Sequence, residues 1–325
     1  MGFSAEEAIV LMNKLGNTNT PFLFVIDYEM ENILLYRMDE SLPLNIAFSF
    51  PNEKRNISET FTIRKFSFHK YPVSFKKYAI AFKLVQEQIS AGNSFLLNLT
   101  FPSLIETNLS LREIFDYSNA LYKLWIDNEL VVFSPETFIR IRDGIITSNP
   151  MKGTIRASEP NALMKILHDP KETAEHHTIV DLIRNDLSLI ATNVNVTRFR
   201  YIEKIQTNQD DILQVSSEIT GNLPDDYPDH IGTILFKLLP AGSVTGAPKV
   251  KTTEIIRNTE CCNRNFYTGI CGYFDGHNLD SAVMIRFIEN KDGKMWFHSG
   301  GGITNNSLAE SEYNELIDKI YVPIV

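Results

Sequence analysis

The chain of 325 residues is 43% hydrophobic and 22% charged and carries a formal net charge of −9. This is the balance of an ordinary soluble globular protein, with room for one large or two smaller domains. It disfavours a nucleic-acid partner, whose phosphates need clustered Lys and Arg, and no apolar run approaches the roughly 20 residues that span a bilayer. Glu6 and Glu7 stand where a secretory leader would be basic, so a cytoplasmic location with no membrane association is expected. Cys261, Cys262 and Cys271 form an odd set without a zinc spacing and read as reduced, structural thiols.

In chain order, residues 22–28 and 33–36 are β-rich runs separated by an acidic turn, the pattern of a hairpin. Residues 75–91 place apolar side chains at 78, 82, 85 and 89, a helical stripe closed by Gly92. Strands are expected at 94–100, 121–126 and 129–133, and at 138–142 paired across Asp143-Gly144 with 145–148. Helices are expected at 162–167, 172–191, 231–238 and 247–258. Strands at 269–274, 282–289 and 295–298 then precede a closing helix at 308–320. Hairpins and helices alternate without a βαβ rhythm. The predicted class is therefore α+β, with large antiparallel β-sheets packed together and helices on the outside.

Several groups carry chemistry. Glu172 and Glu175, and again Glu312 and Glu315, are spaced three apart, which places each pair on one helix face. Two such helices facing each other would offer hard oxygen ligands suited to Mg²⁺. Taken singly, each acid reads as a solvated surface residue before it reads as a ligand, and Lys319 is placed for an ordinary ion pair with Glu315. Residues 239–249, with two glycines and two hydroxyls before a helix, could receive an anion on backbone N–H groups or simply form a turn and a cap. Without Gly-Lys-Ser/Thr the segment is no nucleotide loop. Gly300, Gly301 and Gly302 allow either close ligand approach or a bulge. Lys152, after a strand end, is a nucleophile if its amine is deprotonated and otherwise a turn lysine. Glu136 is an acid for a leaving group or a turn carboxylate.

The order of these motifs is more informative than any one of them. Ser-Pro-Glu at 134–136, Pro-Met-Lys-Gly-Thr at 150–154, Glu-Thr-Ala-Glu-His at 172–176 and Ile-Val-Asp-Leu-Ile-Arg-Asn-Asp at 179–186 come first. Pro-Ala-Gly-Ser-Val-Thr-Gly-Ala-Pro-Lys at 240–249, Tyr-Thr-Gly-Ile-Cys-Gly-Tyr at 267–273, Ile285-Arg286, and the glycine run with Glu-Tyr-Asn-Glu at 312–315 follow. Over about residues 75–325 this series closely resembles the chorismate-utilising enzymes, and within them the aminodeoxychorismate synthase component I branch. The resemblance implies a catalytic region at 75–325, with the strand-rich residues 1–74 part of the same globular unit.

It also implies roles. Glu175 and Glu315 match ligands of a Mg²⁺ ion that bridges to the ring carboxylate of chorismate, and Glu172 and Glu312 match their neighbours, which act partly through water. Tyr267, Arg286 and the N–H of Gly302 match groups that hold the enolpyruvyl carboxylate. Lys319 is a point charge nearby, and Thr154 falls on a substrate-binding position. Lys152 matches the residue that attacks C2 while the C4 hydroxyl leaves, and Glu136 the acid that protonates it. Ammonia would come from a separate glutaminase subunit, giving 4-amino-4-deoxychorismate for para-aminobenzoate and folate synthesis. An anthranilate synthase component I, or a non-catalytic chorismate-binding regulatory subunit, are the alternatives. Two departures stand out: Leu96 occupies the position where isochorismate and salicylate synthases carry a water-activating Lys, and Gln214 replaces a family His.

Overall fold

The computed structural model describes residues 2–58, 65–205, 211–260 and 262–324. Its strands form two nine-stranded sheets. The first runs Met151–Arg156, Ile212–Asn222, Ile145–Ser148, Thr137–Arg142, Leu279–Val283, Ile270–Phe274, Phe22–Ile26, Ile33–Arg37, with Thr192–Ile205 also on Ile212–Asn222. The second runs Gly246–Ala247, Leu96–Thr107, Lys294–Ile303, Phe287–Lys291, Leu130–Ser134, Tyr122–Ile126, Ile46–Ser49, Lys54–Arg55, with Phe68–Tyr71 also on Leu96–Thr107. The pairings are antiparallel, as the expected α+β class requires.

The two-residue period of a strand sorts its side chains into layers. In Phe22–Ile26, Phe22, Phe24 and Ile26 face a core shared with helices Ala5–Asn17, Pro170–Leu187 and Ile231–Leu238. Leu23 and Val25 face the opposite way, into a core between the sheets with Phe48, Tyr122, Val132 and Phe287. Both faces are buried, so the strand reads as a continuous apolar run. Beyond the second sheet, helices Phe75–Ser90, Lys249–Thr259 and Ala309–Asp318 bury Tyr78, Val85, Ile255 and Leu316 against Leu97, Leu99 and Ile303. Cys271 is a buried thiol in the inter-sheet core, and Cys261 lies outside the described residues.

Several elements differ from expectation, among them strands Thr192–Ile205 and Ile212–Asn222, which were not anticipated. Helix Ala5–Asn17 was not anticipated, although Ser4 and Glu7 form a capping box at its start. Helix Leu111–Tyr117 repeats the device with Ser110 and Glu113. The apolar run 282–289 is two strands in different sheets: Leu279–Val283 ends, the chain crosses, and Phe287–Lys291 begins. At the crossing Arg286 has φ +52°, a left-handed conformation that costs a non-glycine residue energy and is concentrated at functional sites. Finally, the glycine run is no bulge. Gly300, Gly301 and Gly302 sit in unbroken register opposite Thr100, Leu99 and Asn98.

Arg264 ties this frame together. Its guanidinium donates to both oxygens of Glu260, to Val244 O at 2.7 Å and to Asn98 O at 2.5 Å, and stacks 4.6 Å over the Tyr28 ring. Both charged side chains are almost fully buried. Removing one partner of such a pair strands the other in a low-dielectric interior. Arg264→Ala is therefore expected to lower unfolding free energy by about 3–5 kcal/mol in urea titrations; a loss below about 1 kcal/mol would contradict this reading.

Candidate active site

Asp169 caps helix Pro170–Leu187 by accepting from Glu172 N at 2.9 Å, and Pro170 fills its first turn. Glu172 and Glu175 then face strand Met151–Arg156. Lys152 Nζ lies 3.7 Å from Glu175 Oε2. Glu172 Oε2 would stand 3.3 Å from a Cβ placed on Gly153, whose φ of +85° itself favours glycine. The pairing of this strand with Ile212–Asn222 shifts register between Met151 and Thr154, so Lys152 sits within an irregular strand, past the strand end read from sequence. The Thr154 backbone pairs with Gln214, and its side chain lies outside the described residues. His176 holds the helix in place: its Nε2 is 2.7 Å from Ser217 Oγ. Burial, helped by Arg200, lowers its pKa to about 4, so the imidazole is neutral.

The second acidic pair comes from helix Ala309–Asp318. Glu312 is only 1% exposed. A Cβ on Gly301 would stand 3.5 Å from Glu315 Oε1 and 3.7 Å from Glu312 Oε2. A Cβ on Gly302 would stand 3.0 Å from Leu96 Cδ1, 3.1 Å from Glu175 Oε2 and 3.3 Å from Lys152 Nζ. Two adjacent glycines thus border Glu312 and Glu315 on one side and Glu175 on the other, and a side chain at Gly302 would press on Glu175. Lys319 Nζ bonds Glu315 Oε1 at 2.7 Å and Gly300 O at 2.8 Å.

Glu136 follows strand Leu130–Ser134, and its charge is felt by cations from three directions: Lys152, Lys319 and Arg286. Burial nonetheless dominates and raises its pKa, while a hydrogen bond from Ser243 and these cations pull it down. Arg286 lies 5.1 Å over the Tyr321 ring. Tyr267 is brought beside it because Thr268 N donates to Met284 O at 2.9 Å and Met284 N to Gly269 O at 2.8 Å. The Tyr267 ring stacks 5.0 Å from His298, and burial raises its phenol pKa. Lys152, Glu172 and Glu175, then Glu312, Glu315 and Lys319, then Glu136, Arg286 and Tyr267 thus make up three groups, with the Thr154 and Gln214 backbones paired beside the first.

Sequence reasoning missed Ser243, which it treated as part of a backbone loop, and Tyr78. The Tyr78 phenol is buried, and burial first, then Glu312 and Glu315, raise its pKa. The helical stripe had marked Tyr78 only as core.

A carboxyl whose pKa burial raises, an amine and a cation-rich surround of buried carboxylates suit a small polyanionic substrate. A match to the chorismate binding enzyme family spans residues 42–324, and the chain belongs to this family of enzymes that act on chorismate. An uncharacterized PabA-like protein of Haemophilus influenzae is 50% identical over 312 residues, covering 96% of this chain and 95% of its own. Aminodeoxychorismate synthase component 1 of Klebsiella aerogenes is 30% identical over 312 residues, covering 91% of this chain and 67% of its own length. Anthranilate synthase component 1 of Acetivibrio thermocellus is 32% identical over 291 residues, 85% of this chain and 56% of that one. Among solved structures, the menaquinone-specific isochorismate synthase MenF of Escherichia coli aligns with TM-score 0.76 at 16% identity over 98% of this chain and 82% of its own. Anthranilate synthase component I of Streptococcus pneumoniae aligns with TM-score 0.70 at 22% identity, over 93% and 79%. The fold is theirs.

The raised pKa of Glu136 has a consequence for stability. A carboxyl whose folded pKa exceeds its unfolded value costs nothing at low pH, where both states are protonated, and destabilises the fold as pH rises through the folded pKa. Glu136→Gln is therefore expected to be more stable than wild type at pH 7.5, with the gain shrinking toward pH 4, in urea titrations at both values. A gain that grows on acidification would reverse the sign of this argument.

Proposed function

We propose that the protein is an aminodeoxychorismate synthase component that aminates chorismate at C4 with ammonia. The observation that carries this reading is the placement of Lys152: its amine shares a pocket with Glu175 and is electrostatically coupled to Glu136, so that a nucleophile and an acid serve one space. The Lys152 Nζ, as a free amine, forms a bond to C2, the two conjugated ring double bonds shift, the C4–O bond breaks, and the hydroxyl leaves as water with the proton of Glu136. Ammonia then bonds to C4, the two double bonds return, the C2–N bond breaks to release Lys152 as a free amine, and a proton from the ammonium formed at C4 restores Glu136. Arg286 and Tyr267, with the N–H of Gly302, hold the enolpyruvyl carboxylate, and Lys319 adds a point charge.

The donor set fits Mg²⁺. Glu175 and Glu312 are buried hard oxygen donors, and the bare backbone at Gly301 and Gly302 leaves space beside them. Among the described residues no group of three or more His, Cys, Asp or Glu is gathered tightly enough to hold a metal by itself. Mg²⁺ is commonly bound by one or two carboxylates with water and substrate completing its shell. Glu175 and Glu315 would ligate it, with Glu172 and Glu312 acting partly through water. When bound, it neutralises these acids and anchors the ring carboxylate of a dianion.

Leu96 supports amination over water addition. Its buried Cδ1 faces the Gly302 position beside Lys152, and leucine cannot abstract a proton. A separate glutaminase subunit would supply the ammonia.

Purified protein with chorismate, Mg²⁺ and ammonium is expected to form aminodeoxychorismate, identified by mass and by conversion with a lyase. Anthranilate as sole product would overturn the reading, and no turnover would favour a binding subunit. Lys152→Ala is expected to slow amination on the order of 10²-fold or more; an unchanged rate removes it as nucleophile. Chelation of the metal is expected to abolish turnover reversibly.

A further inference from the structure

The glycine- and hydroxyl-rich segment 239–248 has no part in the reaction so far, yet it is held with unusual firmness. Helix Gly242–Thr245 packs so close to helix Pro170–Leu187 that a Cβ on Gly242 would stand 2.8 Å from Leu182 Cδ2. Arg264 Nη1 donates to Val244 O at 2.7 Å, and Thr245 Oγ1 donates to Ala241 O at 2.9 Å. Lys249 clamps the two ends, with Nζ 2.7 Å from Leu238 O and 2.6 Å from Asp186 Oδ2. From this fixed segment the Ser243 hydroxyl donates to Glu136 Oε1 at 2.5 Å. The two residues also border one small cavity with Ser148 and Asp186. On that side the Ser243 hydroxyl is the group that holds the carboxyl by a hydrogen bond.

We propose that Ser243 is a positioning residue for Glu136, fixing the carboxyl rotamer and, by donating to Oε1, reserving Oε2 for the proton delivered to the leaving hydroxyl. The proposal rests on Glu136 being the acid of the reaction above. The proton leaves Oε2 with the departing water, and Glu136 becomes a carboxylate. The Ser243 bond strengthens as that charge develops, because a hydrogen bond to an ionised acceptor is stronger than one to a neutral acceptor. The donor therefore stabilises the transition state more than the ground state.

Loss of the donor has a direction in pH. A hydrogen bond to the charged form lowers a carboxyl pKa, so removing it raises the pKa further. The acid must be protonated to act, so activity falls as pH rises through its pKa. The alkaline limb of the kcat profile should then move to higher pH. The other groups facing Glu136 are Lys152, Lys319 and Arg286, with Tyr267 nearby and Asp186, ion-paired to Lys249, across the small cavity; none of them is altered by a change at Ser243.

The test compares wild type with Ser243→Ala, Ser243→Thr, Ser243→Val and Glu136→Gln, using chorismate, Mg²⁺ and ammonium across pH. Ser243→Ala and Ser243→Val are expected to lose kcat by on the order of 10- to 100-fold with KM little changed, and to shift only the alkaline limb upward. Ser243→Thr keeps the hydroxyl at the volume of valine and should recover most of the rate. If Ser243→Ala keeps wild-type kcat and pH profile, or if Ser243→Thr falls as far as Ser243→Val, the role of Ser243 is overturned. Full turnover by Glu136→Gln would instead remove the acid assignment itself, and Ser243's role with it. An inactive Glu136→Gln beside a normal Ser243→Ala would leave the acid in place and reject the positioning residue alone.

Discussion

Glu175 and Glu312 are 4% and 1% exposed, and a carboxylate moved out of water pays a desolvation cost of several kcal/mol unless positive charge or hydrogen bonds meet it. The architecture around them answers that constraint. Lys152 approaches Glu175 from the first sheet, and Lys319 pairs with Glu315 beside Glu312 from the end of the last helix. Arg286 is held at the point where the chain crosses between sheets, in a strained conformation. A chain of net charge −9 thereby gathers cations around its buried acids, where under the proposed function a dianion binds.

The two sheets make this possible by supplying different parts of the pocket. The first carries Lys152, and the second carries the glycine strand and, through its outer helices, Glu312 and Glu315. The crossing segment brings Arg286 alongside Tyr267. At Gly302 an ordinary side chain would press on Leu96, Glu175 and Lys152 together. Solved relatives with this fold include an isochorismate synthase and an anthranilate synthase, so the fold does not choose the reaction. Under the proposed function that choice falls to a few side chains, with an amine at 152 and an inert methyl group at Leu96.

Much of this was legible in the sequence, for identifiable reasons. The helices at 75–91 and 231–238 and the hairpin at 138–148 follow from apolar period and turn chemistry, which are local properties. Helix Ala5–Asn17 was missed because its capping box was not read, although Ser4 and Glu7 display it plainly. The run 282–289 misled because both of its strands are apolar and the break between them is a backbone event at Arg286, invisible to hydropathy. The long strands Thr192–Ile205 and Ile212–Asn222 went unnoticed because polar residues interrupt them. Single acids could not declare themselves either. Glu172, Glu175, Glu312 and Glu315 each resemble surface residues, and only the order of motifs, then the glycine strand between them, joined the pairs. The Ser243–Glu136 contact spans 107 residues of sequence and no spacing rule reaches it.

The central claim is that Lys152 is the nucleophile of an amination, and its most direct test is to withhold the ammonia. Intact-protein mass spectrometry of the protein with chorismate and Mg²⁺, without ammonium, is expected to reveal an adduct equal to chorismate less water. Peptide mapping should place it on Lys152, addition of ammonium should discharge it, and Lys152→Ala should lack it. Wild-type protein that turns over chorismate to aminodeoxychorismate yet never carries the adduct, under conditions that trap it, would contradict the account.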